Sequence, residues 1–333
     1  MNTTSLRKLS SLDQIRLDQG TEQLKRIFYR LGETQKQQAT FYINEGTLSF
    51  PSLFVLIPEI DALNLYDKLN PRNITAIKAC AKIAGNQALH VPAEQSPSEN
   101  SDMLYPVLKW MLKTGAAEDG LCNEYDKVMD GAASILIKTY QDQTNLPIIV
   151  DLIFIRNRKG HLIHDLVWCL FQARTPYTLN LIAGYLRSAD PQDTKLARKL
   201  LHFASVQENA KGAALHNQYE AYLSWLKENY AFLYFTGESF QCTSDPEPWS
   251  VDLDAKYLCK GRAPADRNPL NPLTEFEQSC LHQFHEAGDE EKKLLSKYSN
   301  KMHNENIESW NKWMQYDLNT KIQIAKGSLG GAR

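Results

Sequence analysis

With 333 residues, 43% of them hydrophobic and 23% charged, the chain can bury one large core or two ordinary ones, and its composition excludes a disordered or fibrous protein. Its 37 Lys and Arg against 39 Asp and Glu leave a formal net charge of −2. The pI near 6.5 lacks the basic excess of a dedicated nucleic-acid binder, so nucleic acid is not an expected partner.

The opening stretch, Met1–Ser10, has neither an apolar h-region nor a cleavage site, and Gly330–Arg333 carries no lipidation box. Apolar runs such as Phe54–Ile57 are far too short to span a bilayer. The expectation is a soluble cytoplasmic protein with no membrane partner. Cys80, Cys122, Cys169, Cys242, Cys259 and Cys280 are widely spaced, with no C-x-x-C. They read as reduced thiols rather than a disulfide frame or a structural zinc site.

Residues 1–100 form an N-terminal helical segment in this reading. Leu24, Ile27, Phe28 and Leu31 fall at helical spacing. Residues 47–58 fit either a strand or a buried helix between Pro51 and Pro58. Asn70-Pro71 breaks the chain, and Ile74, Ile77, Ala81 and Ile83 predict a helix ended by Gly85. Residues 91–102 hold no periodic apolar residue and read as an exposed loop and a subdomain boundary.

Residues 101–235 are the expected core. Helices are predicted over Met103–Lys113 and over 125–141. From origins fifteen residues apart, at Gly160, Thr175 and Asp190, offsets of six, seven, ten and eleven are apolar each time. They are Leu166, Val167, Leu170 and Phe171; Leu181, Ile182, Tyr185 and Leu186; Leu196, Ala197, Leu200 and Leu201. That is a repeated helical stripe. Thr175-Pro176 and Asp190-Pro191 each place a capping residue before a proline suited to a first helical position, and Asp193 adds a first-turn acid. Short amphipathic helices repeating in register resemble α-solenoids of the HEAT and armadillo type, over roughly residues 127–203. The resemblance implies stacked helical hairpins whose turns line a binding edge.

A long helix follows, with Leu215, Tyr219, Tyr222, Leu223, Leu226 and Tyr230 on one face. Residues 236–272 hold Pro246, Pro248, Pro264, Pro269 and Pro272, and no helical period survives there. Phe240, Trp249, Val251, Leu253, Tyr257 and Leu258 predict that this connection packs down, and a small β element is expected near 47–57 or 232–258. A C-terminal helical block spans 273–325, striped by Phe276, Cys280 and Phe284, then by Ile307, Trp310, Met314, Leu318 and Ile322. Residues 326–333, with Gly327, Gly330 and Gly331, read as a frayed tail.

Candidate sites have bland readings beside their functional ones. His282 and His285 share a helix face without a third ligand, which describes a solvated face better than zinc. His161 and Asp165 are four apart and can pair, with His164 and Trp168 nearby, yet no nucleophile or G-x-S-x-G accompanies them. Arg156, Arg158, Lys159 and His161 form the sharpest basic run, at a turn where an acidic partner or a phosphate can be gripped. Lys195, Arg198 and Lys199 extend it, and the bland alternative is a set of helix-end charges. Trp310 and Trp313 read as core. No Gly-rich phosphate loop occurs.

These readings combine into an all-α fold of stacked, HEAT-like helical hairpins with a helical C-terminal block and a minor β element. The expected role is a scaffold or adaptor for another protein, binding through Arg156, Arg158, Lys159, His161, His164 and Trp168, with no catalytic residue, metal or cofactor. The alternatives are an enzyme using His161, His164 and Asp165 in a cleft, or a HEAT-like protein acting on nucleic acid.

Overall fold

A computed structural model describes residues 9–85, 101–118, 120–202, 213–238, 243–261 and 272–329. The described residues hold eighteen α-helices and one two-stranded sheet, so the fold is all-α with a minor β element. The chain divides into two units, Met1–Ala173 and Arg174–Arg333.

In the first unit the helices are α1 (Ser11–Gln19), α2 (Thr21–Thr34), α3 (Lys36–Ile43), α4 (Phe50–Val55), α5 (Ile57–Ala62), α6 (Pro71–Ala84), α7 (Ser101–Gly115), α8 (Asn123–Lys138), α9 (Leu146–Lys159) and α10 (His164–Phe171). The ambiguous stretch at 47–58 is helical from Phe50 onward, because Pro51 and Pro58 each sit in the first turn of a helix, α4 and α5, where a missing N–H costs nothing. Asn70 likewise caps α6 by accepting from the Asn73 N–H, and Gly85 ends that helix in the left-handed region. Helix α8 is the hub, packed on α6, α7 and α10. Phe50 stacks on Tyr125 at 5.5 Å between ring centroids, with Phe54 edge-on to Tyr125 at 5.1 Å. The Tyr125 hydroxyl donates to the Gly115 carbonyl at 2.9 Å, which satisfies the one polar atom this ring buries.

Beneath α1 and α4 lies a buried polar knot. Asp13, 1% exposed, accepts from Ser10 Oγ at 2.7 Å, the Ser49 N–H at 3.0 Å and Ser52 Oγ at 2.6 Å, and from Ser49 Oγ. Arg16 donates through Nε to Ser52 Oγ at 2.9 Å and pairs with Glu118 at 3.0 Å. A buried charge survives only with such partners.

The second unit comprises α11 (Tyr177–Ala183), α12 (Pro191–Leu200), α13 (Ala213–Asn229), α14 (Leu253–Tyr257), α15 (Glu275–Glu286), α16 (Asp289–Glu305), α17 (Ile307–Met314) and α18 (Leu318–Leu329), with strands β1 (Leu233–Phe235) and β2 (Trp249–Val251). The strands pair antiparallel in the register Leu233↔Val251, Tyr234↔Ser250, Phe235↔Trp249. Helix α16 packs on α14, α17 and α18. At their centre Tyr257 stacks on Phe284 at 4.4 Å, and Trp313 meets both Tyr257 and Tyr298 edge-on. Burying each such side chain is worth about 1.5–3 kcal/mol.

The repeated stripe faces the core: all of its positions are buried except the half-buried Leu181 and Tyr185. Asp190 caps α12 ahead of Pro191, while α11 starts only at Tyr177, with Pro176 rather than Thr175 at the cap position. Several expectations need correction. The 236–272 connection carries regular structure, since β2 and α14 lie inside it; Asp252 starts α14 by accepting from the Ala255 N–H. Phe276 and Ile307 are exposed rather than core. Gly327 belongs to α18, not to a tail. Expectations for 91–100, Phe240, Pro264, Pro269, Gly330 and Gly331, and for the Leu215 side chain, lie outside the described residues.

Candidate functional site

Helix α9 follows α8 after a short 3-10 turn at Gln143–Asn145, and its C-terminal end lies beside the first turns of α8. That end gathers most of the residues singled out from sequence. Arg156 is turned inward at 2% exposure. Its Nη1 lies 2.7 Å from Asp130 Oδ1, and its Nη2 donates to the Asp126 carbonyl at 3.2 Å. This guanidinium ties α9 to α8 and is turned away from solvent.

Past Arg156 the helix stops in a Schellman turn. Gly160, at φ 72°, donates to Asn157 O at 3.1 Å, and the His161 N–H reaches back to Arg156 O at 2.9 Å. A glycine fits here because a Cβ disfavours the left-handed region. The turn is also packed from outside. Gly120 donates to Asp126 Oδ1 at 2.8 Å, and His161 Nδ1 lies 3.8 Å from Asp126 Oδ2. A Cβ on Gly120 would sit 2.9 Å from His161 Cε1 and 3.7 Å from Lys159 Nζ. The cationic end of α9 therefore rests on the acidic first turn of α8, where charge and helix dipole agree.

What remains outward is Arg158, Lys159, His161, His164 and Asp165, all exposed, with Trp168 half-buried behind them. At the tip stands Leu162, 83% exposed. The sequence reading passed over Leu162, since no periodicity marks a lone turn residue. Elsewhere, Arg198 donates to Gln218 Oε1 at 2.9 Å, Lys195 and Lys199 are exposed on α12, and Lys199 has a further interaction. His285 pairs with Asp254 at 2.8 Å and His282 with Glu286 at 3.4 Å, both exposed, as a solvated face requires.

The second unit holds a feature the sequence did not announce, an open cleft of about 500 Å³. Three segments line it: Ser224, Lys227 and Glu228 from the end of α13 with Ala231 and Phe232 from the 3-10 turn that follows; Cys259 and Gly261 after α14; Asn300, His303 and Asn304 from the last turns of α16. Its wall is tied down behind. Lys256, buried in α14, donates to Glu228 Oε1 and Asn229 Oδ1, each at 2.7 Å. Ser299 Oγ donates to Tyr257 O at 2.5 Å and accepts from Trp310 Nε1 at 2.7 Å. Cys259 ends α14 in the left-handed region at φ 53°, a conformation that costs a non-glycine residue about 1 kcal/mol or more. Burial pushes its thiol up to about 11, so it lines the cleft as a neutral group. These residues lie in three segments far apart in the chain; the only local signal is the Asn300, His303, Asn304 spacing on one helix face.

Set against protein-family models, curated proteins and solved structures, the chain matches none of them.

Proposed function

We propose that the protein is a non-catalytic helical adaptor that docks a protein partner on the turn following α9. The reading includes HEAT-like stacking of its hairpins and a cytoplasmic place of work. One observation carries it: Leu162, 83% exposed, stands beside Arg158, Lys159 and His161 on a turn locked by a Schellman motif. A pre-ordered apolar knob flanked by cations suits an acidic surface with a hydrophobic pocket, because little entropy is lost on binding. Arg156 leaves the contact set and becomes its support, through Asp130. The exposed His161, His164 and Asp165 lend the enzymatic alternative no support.

The test is affinity capture from native lysate, with the wild type beside a variant carrying Arg158→Glu, Lys159→Glu and Leu162→Glu. Arg156 is left intact so that the fold survives, and circular dichroism verifies it. A stoichiometric protein retained by the wild type and lost from the variant is the expected result. Equal retention by both, or none by either, sinks the reading.

A further inference from the structure

Among the described residues that line the cleft of the second unit there is one carboxylate, Glu228, and buried Lys256 holds it at 2.7 Å. On the donor side, Lys227 has no anionic partner among the described residues, and neither the Ser224 hydroxyl nor the His303 ring nitrogens have a hydrogen-bond partner there. Asn300 is the most enclosed of these donors: the residue is 8% exposed, and its side-chain oxygen accepts one long bond, at 3.5 Å, from the Asn304 amide. Phe232 and Ala231 supply an apolar flank, and the volume lies in the range of small-ligand sites.

We infer that this cleft binds a small organic carboxylate, with its anionic group on Lys227, the Asn300 and His303 donors completing the polar contacts, and its carbon skeleton against Phe232. Among the described lining residues, a single uncompensated ammonium beside neutral donors matches one delocalised charge. The thiol of Cys259 is a neutral wall and forms no bond to the ligand. The inference stands apart from the adaptor reading, since it concerns the other unit.

The full chain is titrated with acetate, succinate and benzoate, and with acetamide, succinamide and benzamide as uncharged counterparts, up to about 10 mM, beyond the weak end of ordinary small-ligand affinity. Two readouts serve: tryptophan fluorescence, because Trp310 packs edge-on to His303 at 4.9 Å, and thermal melting. At least one acid should bind saturably while its amide does not. Lys227→Met should weaken that binding about tenfold or more, the loss of one charge-assisted contact. Asn300→Leu should also weaken it. Lys227 is exposed, so its variant tests binding without a folding defect. Absence of saturable binding by all three acids, equal binding of acid and amide, or an unchanged affinity in Lys227→Met each overturns the inference.

Discussion

The two units bury charge in opposite ways. The first inserts guanidinium groups and matches each to a carboxylate: Arg16 to Glu118, beside the four-donor site of Asp13, and Arg156 to Asp130. The second inserts ammonium groups. Lys256 finds Glu228 and Asn229, but among the described residues Lys321, 1% exposed, hydrogen-bonds through its ammonium only to Gln283 Oε1, at 3.3 Å, and lies 6.0 Å above the Tyr257 ring. The difference follows from chemistry. A guanidinium stays charged and presents a fork of donors, so it demands a built counter-site, whereas a lysine can yield its proton and tolerate a poorer one. Burial indeed pushes Lys321 below its ordinary value, against the weaker upward pull of Cys280 and Asp317.

That contrast can be broken in order of effect. Asp13→Ala strands three serine hydroxyls and the Ser49 N–H, and should cost about 3–5 kcal/mol. Urea unfolding reads it, and a loss below about 1 kcal/mol would refute a tight network. Arg156→Met removes the 2.7 Å ion pair from half-covered Asp130, for about 2–3 kcal/mol. A double-mutant cycle with Asp130→Asn should show strong coupling, and additive losses would mean the pair is not the staple. Gly160→Ala forces a Cβ into the left-handed region of the Schellman turn, with nothing nearby to clash. Its expected cost is about 1 kcal/mol, read from the melting temperature.

Lys321→Met should reverse the sign, stabilising by up to about 1 kcal/mol at neutral pH, because the burial penalty vanishes. The pH dependence sharpens this. The folded state gives up the Lys321 proton at a lower pH than the unfolded chain, whose value is 10.5. Between the two the unfolded chain binds more protons, so wild-type stability contributed by this group rises with pH. Urea midpoints at neutral and alkaline pH should show the advantage of Lys321→Met shrinking as 10.5 is approached. A constant gap would mean that Lys321 keeps its charge throughout.

Where the chain signals locally, its sequence was legible. The repeated stripe is buried, Asp190-Pro191 starts α12, and Gly85 stops α6, because each is decided within a turn or two of helix. What depends on distant partners was not. The stripe of Phe276, Cys280 and Phe284 tells which face is apolar, but the neighbours that cover Cys280 and Phe284 stop short of Phe276. Arg156 and Arg158 look alike in sequence, yet Asp130, twenty-six residues before Arg156, draws one inward while the other stays out. Lys321 reads as an ordinary helix cation until α15 and Tyr257 close over it. The cleft is the extreme case, since its described lining comes from three segments and only the fold brings them together.

The prolines that start α4 and α5 act before either helix exists. They bracket Leu53-Phe54-Val55-Leu56-Ile57, five consecutive apolar residues rich in strand formers. In an unfolded chain such a window invites stacking with its own copies, but neither Pro51 nor Pro58 can donate to a growing ladder. The residues that give these helices their first turns therefore also disfavour the stacking of this apolar window with its copies.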